Sequence, residues 1–476
     1  MAHLKSVLLS KEEEDLIHDK SVECLKDVGI RVDSESVLEL LEKEGASVDY
    51  ENYLAKIPVK MVNQALEAAP KEFSLCGRNP EHDLEFPTKS YPYTTTNGLA
   101  PFVNDYETGE YRLSTKKDLA SFTRLGDAID SIDFLWTSVS PTDVPPAAEG
   151  PHALWATMQN TSKHVQGVTV QSAEASRIMI ELAALVAGGK EELKKRPIFS
   201  MIVCPIAPLS FEKHAIESQV EFARAGVPVV GLAMPSGGMS APVTVAGMIL
   251  TANAENLASL VITQAAAPGA PHIFRTESTP MNMVDGSFNY DAPEFGLIFC
   301  GAAQMTRRYQ LPSFNGDFTG FQLSSDQRET LFSRFITYCA SSAHVDIVAG
   351  LGGMDDAKGV CFKQLLVDAY TWECCREYLK PVDITEEKLG LDALRDIGPR
   401  GNFLTHRHTR KYLRSELIQL DEDKREFLEL EKEKQGEKAR ELVTKILEEH
   451  KVMPLGESIV RKGDEIIEAY EQKYAE

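Results

Sequence analysis

PIFSMIVCPIAPLSFEKHAIESQVEFARAGVPVVGLAM, residues 197–234, decides the fold. Its two ends, PIFSMIVC (197–204) and VPVVGLAM (227–234), are apolar runs of strand length. Between them SFEKHAIESQVEFARAG (210–226) has the spacing of an amphipathic helix and closes on a glycine. A strand, a crossover helix and a second strand make two parallel neighbours, because parallel strands need a long connection and antiparallel ones only a tight turn.

The same alternation runs outward in both directions. Strand-like runs stand at YPYTTT (91–96), DFLWTSVS (133–140), HVQGVTV (164–170), HIFRTE (272–277), PSFNGDF (312–318) and HVDIVAG (344–350). Helical stretches lie between them, among them SAEASRIMIELAALVAG (172–188), EFGLIFCGAAQMTRRY (294–309) and RETLFSRFITYCASSA (328–343). Eight such units in one run predict an α/β fold, a (β/α)8 TIM barrel. An open doubly wound sheet would want GxGxxG opening a helix after the first strand, and YPYTTTNGLAPF has nothing of that kind.

Two flanks frame the barrel, which is expected over 89–410. Residues 1–88 read as a mostly helical extension: Ser10 and Glu13 form a capping box for a helix to about Val28, and further helices follow near 34–43 and 59–68. Residues 411–476 read as a charged helical arm, with one long helix over about 414–450 bearing Leu417, Leu420, Phe427, Leu430, Leu442 and Ile446, suited to packing or to a homo-oligomer contact.

The chain has 476 residues, 43% hydrophobic and 26% charged, with a net charge of −22. That composition buries a large core, and that charge repels nucleic acid and anionic membrane surfaces. From Ala225 to Ala254 no residue is charged, but Pro228, Pro235 and Pro242 divide the stretch into runs read as too short to span a bilayer. The eight cysteines (Cys24, Cys76, Cys204, Cys300, Cys339, Cys361, Cys374 and Cys375) contain no CxxC pair, as expected of free thiols in a reducing cytoplasm. The N-terminal apolar run is too short for a secretory signal.

A barrel of this kind places its site at the C-terminal ends of the strands. Run-ends taken as candidates include Tyr91, Tyr93, Asn97, Ser138, Gln166, Cys204, Met234, Arg275, Glu277, Asp317, Phe318 and His344. HExxH, GxSxG and P-loop patterns are missing, and His406 and His408 form only an i, i+2 pair, so no metal ligand set is assigned. The glycine-rich loops PSGGMSAP (235–242) and GLGGMDDAKG (350–359) follow strand ends, and Gly237, Gly238, Gly352 and Gly353 are expected to face a flat partner. Tyr91, Tyr93, Phe318 and Met234 with Glu277 and Asp317 make an aromatic, apolar and acidic set. It suits a quaternary ammonium, which offers no hydrogen-bond donor and is held by ring faces and diffuse charge. Each of these residues taken alone is more often core or rim, and the set carries the reading only if one face holds all six.

At these segments the chain resembles the trimethylamine methyltransferase superfamily. The resemblance is carried by YPYTTTNGLAPFVND (91–105), SVSPTDVPP (138–146), CPIAPLSF (204–211), GLAMPSGGMSAPVTVAG (231–247), QMTRRYQLPSFNGDF (304–318) and IGPRGNFLTHRHTRKYLR (397–414). Founding members carry pyrrolysine near the seventh strand. Here LPSFNGDFTGFQL (311–323) holds only standard residues, which is similar to the non-pyrrolysine branch acting on glycine betaine and related quaternary amines.

The resemblance implies transfer of a methyl group from a quaternary amine to the Co(I) corrinoid (cobalamin) of a separate corrinoid protein. No DxHxxG-type signature marks a cobalamin module within the chain, so the cofactor is expected on that partner, with residues 10–70 open for docking. Tyr93, Phe318 and Met234 would surround the trimethylammonium group, Glu277 or Asp317 would balance it, Asn97 would orient the substrate, and His344 would bind its carboxylate. Proline betaine, carnitine and choline are alternative substrates. Two other readings stand beside this one: a zinc-dependent corrinoid methyltransferase using Cys361, Cys374 and Cys375, and a non-catalytic quaternary-amine binder.

Overall fold

The computed structural model describes residues 4–167, 172–290, 292–318, 337–338, 341–355, 357–417 and 421–473. Each predicted strand run contains one barrel strand: Tyr93–Thr96, Leu135–Trp136, Val165–Gly167, Phe199–Val203, Val229–Ala233, His272–Thr276, Ser313–Asp317 and Ile347–Leu351. They pair in parallel in chain order. The eighth pairs with the first through Ile347 and Tyr93, and a Thr95–Phe134 bridge joins the first to the second. The barrel is therefore closed.

Strands four to eight are buried along their whole length, as parallel strands under a helical layer must be, which is why they read as near-continuous apolar runs. Phe134, Ile202, Leu232, Ile273, Phe314 and Ile347 fill the interior. Register shifts fall between Phe314 and Asp317 and between Val348 and Leu351, and each contains a left-handed glycine, Gly316 and Gly350. Most of RETLFSRFITYCASSA, with Cys339, lies outside the described residues. Among the described residues the other seven cysteines form no disulfide.

The N-terminal region is less helical than expected. Helices Lys11–Asp27, Glu35–Glu44 and Val59–Ala68 are present, and the Ser10–Glu13 capping box is formed. Between them lies a small sheet of Ile30–Val32, Ser47–Asp49 and Leu54–Lys56, which takes Ser210–Phe211 from the loop after barrel strand four as its fourth strand. A second hairpin, Phe73–Leu75 with Leu84–Phe86, closes the N-terminal end of the barrel by adding Leu75, Leu84 and Phe86 to the interior cluster. Three-residue strands carry too little periodicity to be read locally.

Helix Val245–Ala266 is the packing partner of this region. With a hydropathy of 1.4 it is long and apolar enough to cross a membrane, so the proline argument holds only as far as Pro242. Yet 78% of its 18-residue window is buried inside the protein. The apolarity answers contact on several sides with the barrel wall and the N-terminal helices.

The single long C-terminal helix is corrected to separate pieces: Arg407–Glu416, Glu422–Glu429 and Lys432–Glu449, followed by Glu457–Glu471. Leu420 lies outside the described residues. Phe427, Ala439 and Val443 are buried against Leu119, Phe122, Leu365 and Trp372, and Leu430, Leu442 and Ile446 pack around them. The last helix presents Gly463 flat against Trp155, where any side chain would collide with the indole, and Asp464 accepts the Trp155 Nε1 hydrogen bond at 2.8 Å. The apolar face read as suited to packing or to an oligomer contact packs on the outside of the barrel.

Candidate functional site

At the C-terminal end of the barrel the sixth strand delivers Arg275, which is 1% exposed. Strand alternation puts Ile273, Arg275 and Glu277 on one face, and Ile273 lies in the interior cluster. The guanidinium lies over the ring of Phe314 at 3.9 Å and over that of Trp136 at 4.9 Å. Its Nη2 donates to Asp317 at 3.0 Å and to Glu277. Burial pushes this guanidinium down to about 10, so it remains protonated at neutral pH, with Asp317, Cys204 and Tyr290 near enough to influence its charge. One cation between two carboxylates leaves the cluster with one formal negative charge in excess.

The approach of Asp317 depends on the eighth strand. Gly350 has φ +86°, and a Cβ there would overlap Asp317 Oδ1. Glycine permits both the left-handed turn and the close contact. At Gly98, just beyond the first strand, a Cβ would likewise collide with the Trp136 indole. Three buried N–H groups at the mouth have no acceptor among the described residues: Arg275 Nε and Nη1, and Trp136 Nε1. Other unpartnered buried groups, such as Trp372 Nε1 and Arg376 Nε, lie elsewhere in the protein, but these three sit side by side on one stacked pair.

The sequence-derived candidates divide by position. Asn97, Met234, Glu277 and Asp317 stand at C-terminal strand ends. Asn97 is buried, its N–H bonded to Leu351 O at 3.0 Å and its Nδ2 to Ala357 O at 3.4 Å, which ties the first strand to the loop after the eighth. Met234 and Cys204 border the interior cluster.

Tyr91, Tyr93 and His344 lie at the opposite end, because each precedes or begins its strand and a parallel barrel brings every strand in through the base. Tyr93 packs edge-on to Phe86 of the closing hairpin and donates to Glu85 O at 3.3 Å. Tyr91 lies under Arg376. His344, at φ +59°, lines a basal cavity of about 820 Å³ with Arg307 and Asp346. Phe318 points to the outer layer, perpendicular to Trp372 at 6.1 Å.

Of the glycines expected to face a flat partner, Gly238 alone is exposed. Gly237 packs on Met248, and Gly352 packs on Phe122 and Leu365 while its N–H donates to Asp368 at 2.9 Å. Gly353 is buried in a sheet with 359–361 and 102–104. Around Gly238 the rim is exposed and apolar: Ile206, Met239, Val243, Met283 and Val284 come from the loops after strands four, five and six.

The zinc reading meets a geometric obstacle. Cys361 caps the start of helix Phe362–Arg376 while Cys374 and Cys375 sit in its last turn, about 20 Å away at 1.5 Å per residue. Arg275 and Trp136 carry the mouth geometry; Arg275 was among the run-end candidates without a role, and Trp136 was not among them. Their signal was an Arg-x-Glu pair and a Phe-x-Trp pair on strands whose remaining inward positions are apolar.

A family model described as trimethylamine methyltransferase (MTTB) matches residues 3–474. The chain is 31% identical over 471 residues to a trimethylamine methyltransferase of Desulfitobacterium hafniense (strain DSM 10664 / DCB-2), covering 98% of this chain and 94% of that protein. It is 26% identical over 407 residues to a glycine betaine methyltransferase of Desulfitobacterium hafniense (strain Y51), covering 85% and 84%. The crystal structure of the Methanosarcina barkeri monomethylamine methyltransferase shares the fold with a TM-score of 0.52 at 13% identity, covering 94% of this chain and 96% of that one.

Proposed function

Since this chain belongs to the trimethylamine methyltransferase family, we propose that it moves a methyl group from a quaternary amine, glycine betaine foremost, to the corrinoid of a separate protein. The observation that carries this reading is the buried mouth cluster, with two carboxylates against one guanidinium that lies over two aromatic rings. Excess negative charge and ring faces favour a cation that cannot donate a hydrogen bond. The standard residues at 311–323 and the glycine betaine relative support a quaternary over a tertiary substrate.

When bound, the corrinoid supplies a Co(I) nucleophile. A quaternary nitrogen leaves methyl as a neutral tertiary amine, so the chain has no proton to deliver. Its work is to hold the cation, exclude water and present one methyl outward. Glu277 and Asp317 balance the charge. Arg275 keeps the two carboxylates together, and Trp136 and Phe314 hold Arg275 in place. The apolar rim around Gly238 fits the face of a corrinoid ring brought by a partner protein. The basal positions of Tyr91, Tyr93 and His344 give them no contact with the substrate in this reading.

The test is incubation of the purified chain with reduced cobalamin and a panel of amines. Glycine betaine is expected to yield methyl-Co(III), followed by absorbance, and dimethylglycine in equal amount. Trimethylamine demethylation with inert glycine betaine would overturn the assignment, and so would inactivity on the entire panel.

A further inference from the structure

Leu379 and Phe427 are both buried in the packing around helix Phe362–Arg376, and between them the chain leaves that packing and returns. Among the described residues of this excursion Ala393 alone is buried. The excursion nevertheless carries the helices Glu386–Leu389, Leu391–Ile397 and Arg407–Glu416. Polar contacts join them: Lys388 pairs with Glu416 at 2.8 Å, Lys411 pairs with Glu387, and His408 Nε2 lies 3.2 Å from Glu387 O. Exposed pairs of this kind stabilise little. The apolar side chains face outward instead, with Ile384, Leu389, Leu394, Leu404, Leu413 and Leu417 at 45–83% exposure. Short helices without a core of their own must bury such a surface against another body. The charge of the excursion also runs against that of the chain. Residues 397–414 hold Arg400, Arg407, Arg410, Lys411 and Arg414 and no carboxylate, in a protein of −22 net charge.

We infer that this excursion docks on a second copy of the chain, its leucines buried in the contact and its basic residues against an acidic face of the other copy. A second copy is always present at matching concentration, and outside 397–414 its charge is more negative still than −22. Surfaces of one sign repel, so the basic stretch meets a different face of its neighbour and not its own counterpart. The excursion departs from and rejoins the basal end: Arg376, before it, lies over Tyr91, and Lys424, after it, pairs with Glu373 at 2.5 Å. In the reading above a corrinoid protein faces the mouth and leaves after each transfer, so it cannot cover this surface permanently. An anionic bilayer would attract the arginines but repel Glu386, Glu387, Asp392 and Glu416, which are exposed on the same helices. A protein surface can match such mixed charges one by one.

Sedimentation of the full chain over a range of concentrations tests this. The unmodified chain is expected to sediment as an assembly of at least two copies, and to dissociate more readily as salt rises from about 0.05 M to about 0.5 M. Leu404→Glu combined with Leu413→Glu sets carboxylates on the apolar face and should weaken the assembly at least about tenfold. Arg410→Glu combined with Arg414→Glu leaves that face apolar. It should weaken the assembly about tenfold at low salt and less than about threefold at high salt. All four side chains are exposed, so the circular dichroism of both variants should match that of the unmodified chain. A single-copy mass at every concentration overturns the inference, and so does an assembly that neither pair of substitutions weakens. A single-copy chain that floats with phosphatidylserine vesicles, and loses flotation in the arginine variant, would give the surface to a membrane instead.

Discussion

The two ends of the barrel treat buried charge in opposite ways. At the base, Asp346 accepts from the Thr88 N–H at 2.8 Å and the Ser313 N–H at 2.9 Å. Lys163 is 4% exposed, and its Nζ donates to Gly126 O, Ile129 O and Ile132 O at 3.1, 2.9 and 2.6 Å. His164 bridges Cys76 O of the closing hairpin and Ser200, and burial holds its imidazole down to about 4, hence neutral. At the mouth, Arg275 and Trp136 keep N–H groups that find no acceptor among the described residues. Charge bonded to backbone fixes the fold, and charge left short of partners awaits a ligand. The pairing of a group, more than its burial, separates structure from function here.

The largest expected effect breaks the base. Lys163→Met removes the donor to three buried carbonyls and should cost about 3 kcal/mol or more in urea unfolding, since each stranded group carries its own desolvation penalty. KM for the amine and turnover per folded molecule should not change. Burial pushes the Lys163 ammonium down to about 8. Between that value and the ordinary lysine value near 10.5, the native state has released a proton that the unfolded chain still holds. This lysine's contribution is therefore full above about pH 10.5 and lost as pH falls through about 8. Unfolding midpoints of the unmodified chain should rise relative to Lys163→Met from pH 8 to pH 10. Lost methyl transfer at undiminished stability would contradict the division between the ends.

A smaller effect sharpens the mouth. Glu277 is partly exposed, and glutamine at 277 still accepts from Arg275, so the fold should tolerate Glu277→Gln within about 0.5 kcal/mol. Losing one charge beside the bound cation should weaken tetramethylammonium about tenfold by calorimetry. An unchanged affinity would move the cation away from this cluster.

The barrel was legible because parallel strands buried on both faces cannot hide: PIFSMIVC and VPVVGLAM are apolar at nearly every position, and their crossovers carry helical periodicity. The strand pair at Ser47–Asp49 and Leu54–Lys56 is too short to show a period, and its union with Ser210–Phe211 is a long-range pairing that local pattern cannot encode. The interruptions of the C-terminal helix were hidden by a charge pattern that runs on through them. The site was half legible. Glu277 and Asp317 were found as strand-end carboxylates, whereas Arg275 was a run-end candidate without a role and Trp136 was no candidate. Tyr93 and His344 were assigned by belonging to a strand run, without asking which end of the run comes first.

That last distinction gives the smallest predicted effect. Tyr93 and Glu277 belong to strand runs of the same barrel, one at the start and the other at the end, and an apolar run marks both ends alike. Tyr93→Phe removes a single hydroxyl whose contact is a 3.3 Å bond to Glu85 O near the surface, while its ring keeps the packing against Phe86. The change should cost less than about 0.5 kcal/mol in urea unfolding and leave glycine betaine affinity and methyl transfer unaltered. A tyrosine holding the trimethylammonium group would instead show its loss in affinity first. A fall in glycine betaine affinity with an unchanged unfolding midpoint would bring the base into the site and erase the contrast between the two ends.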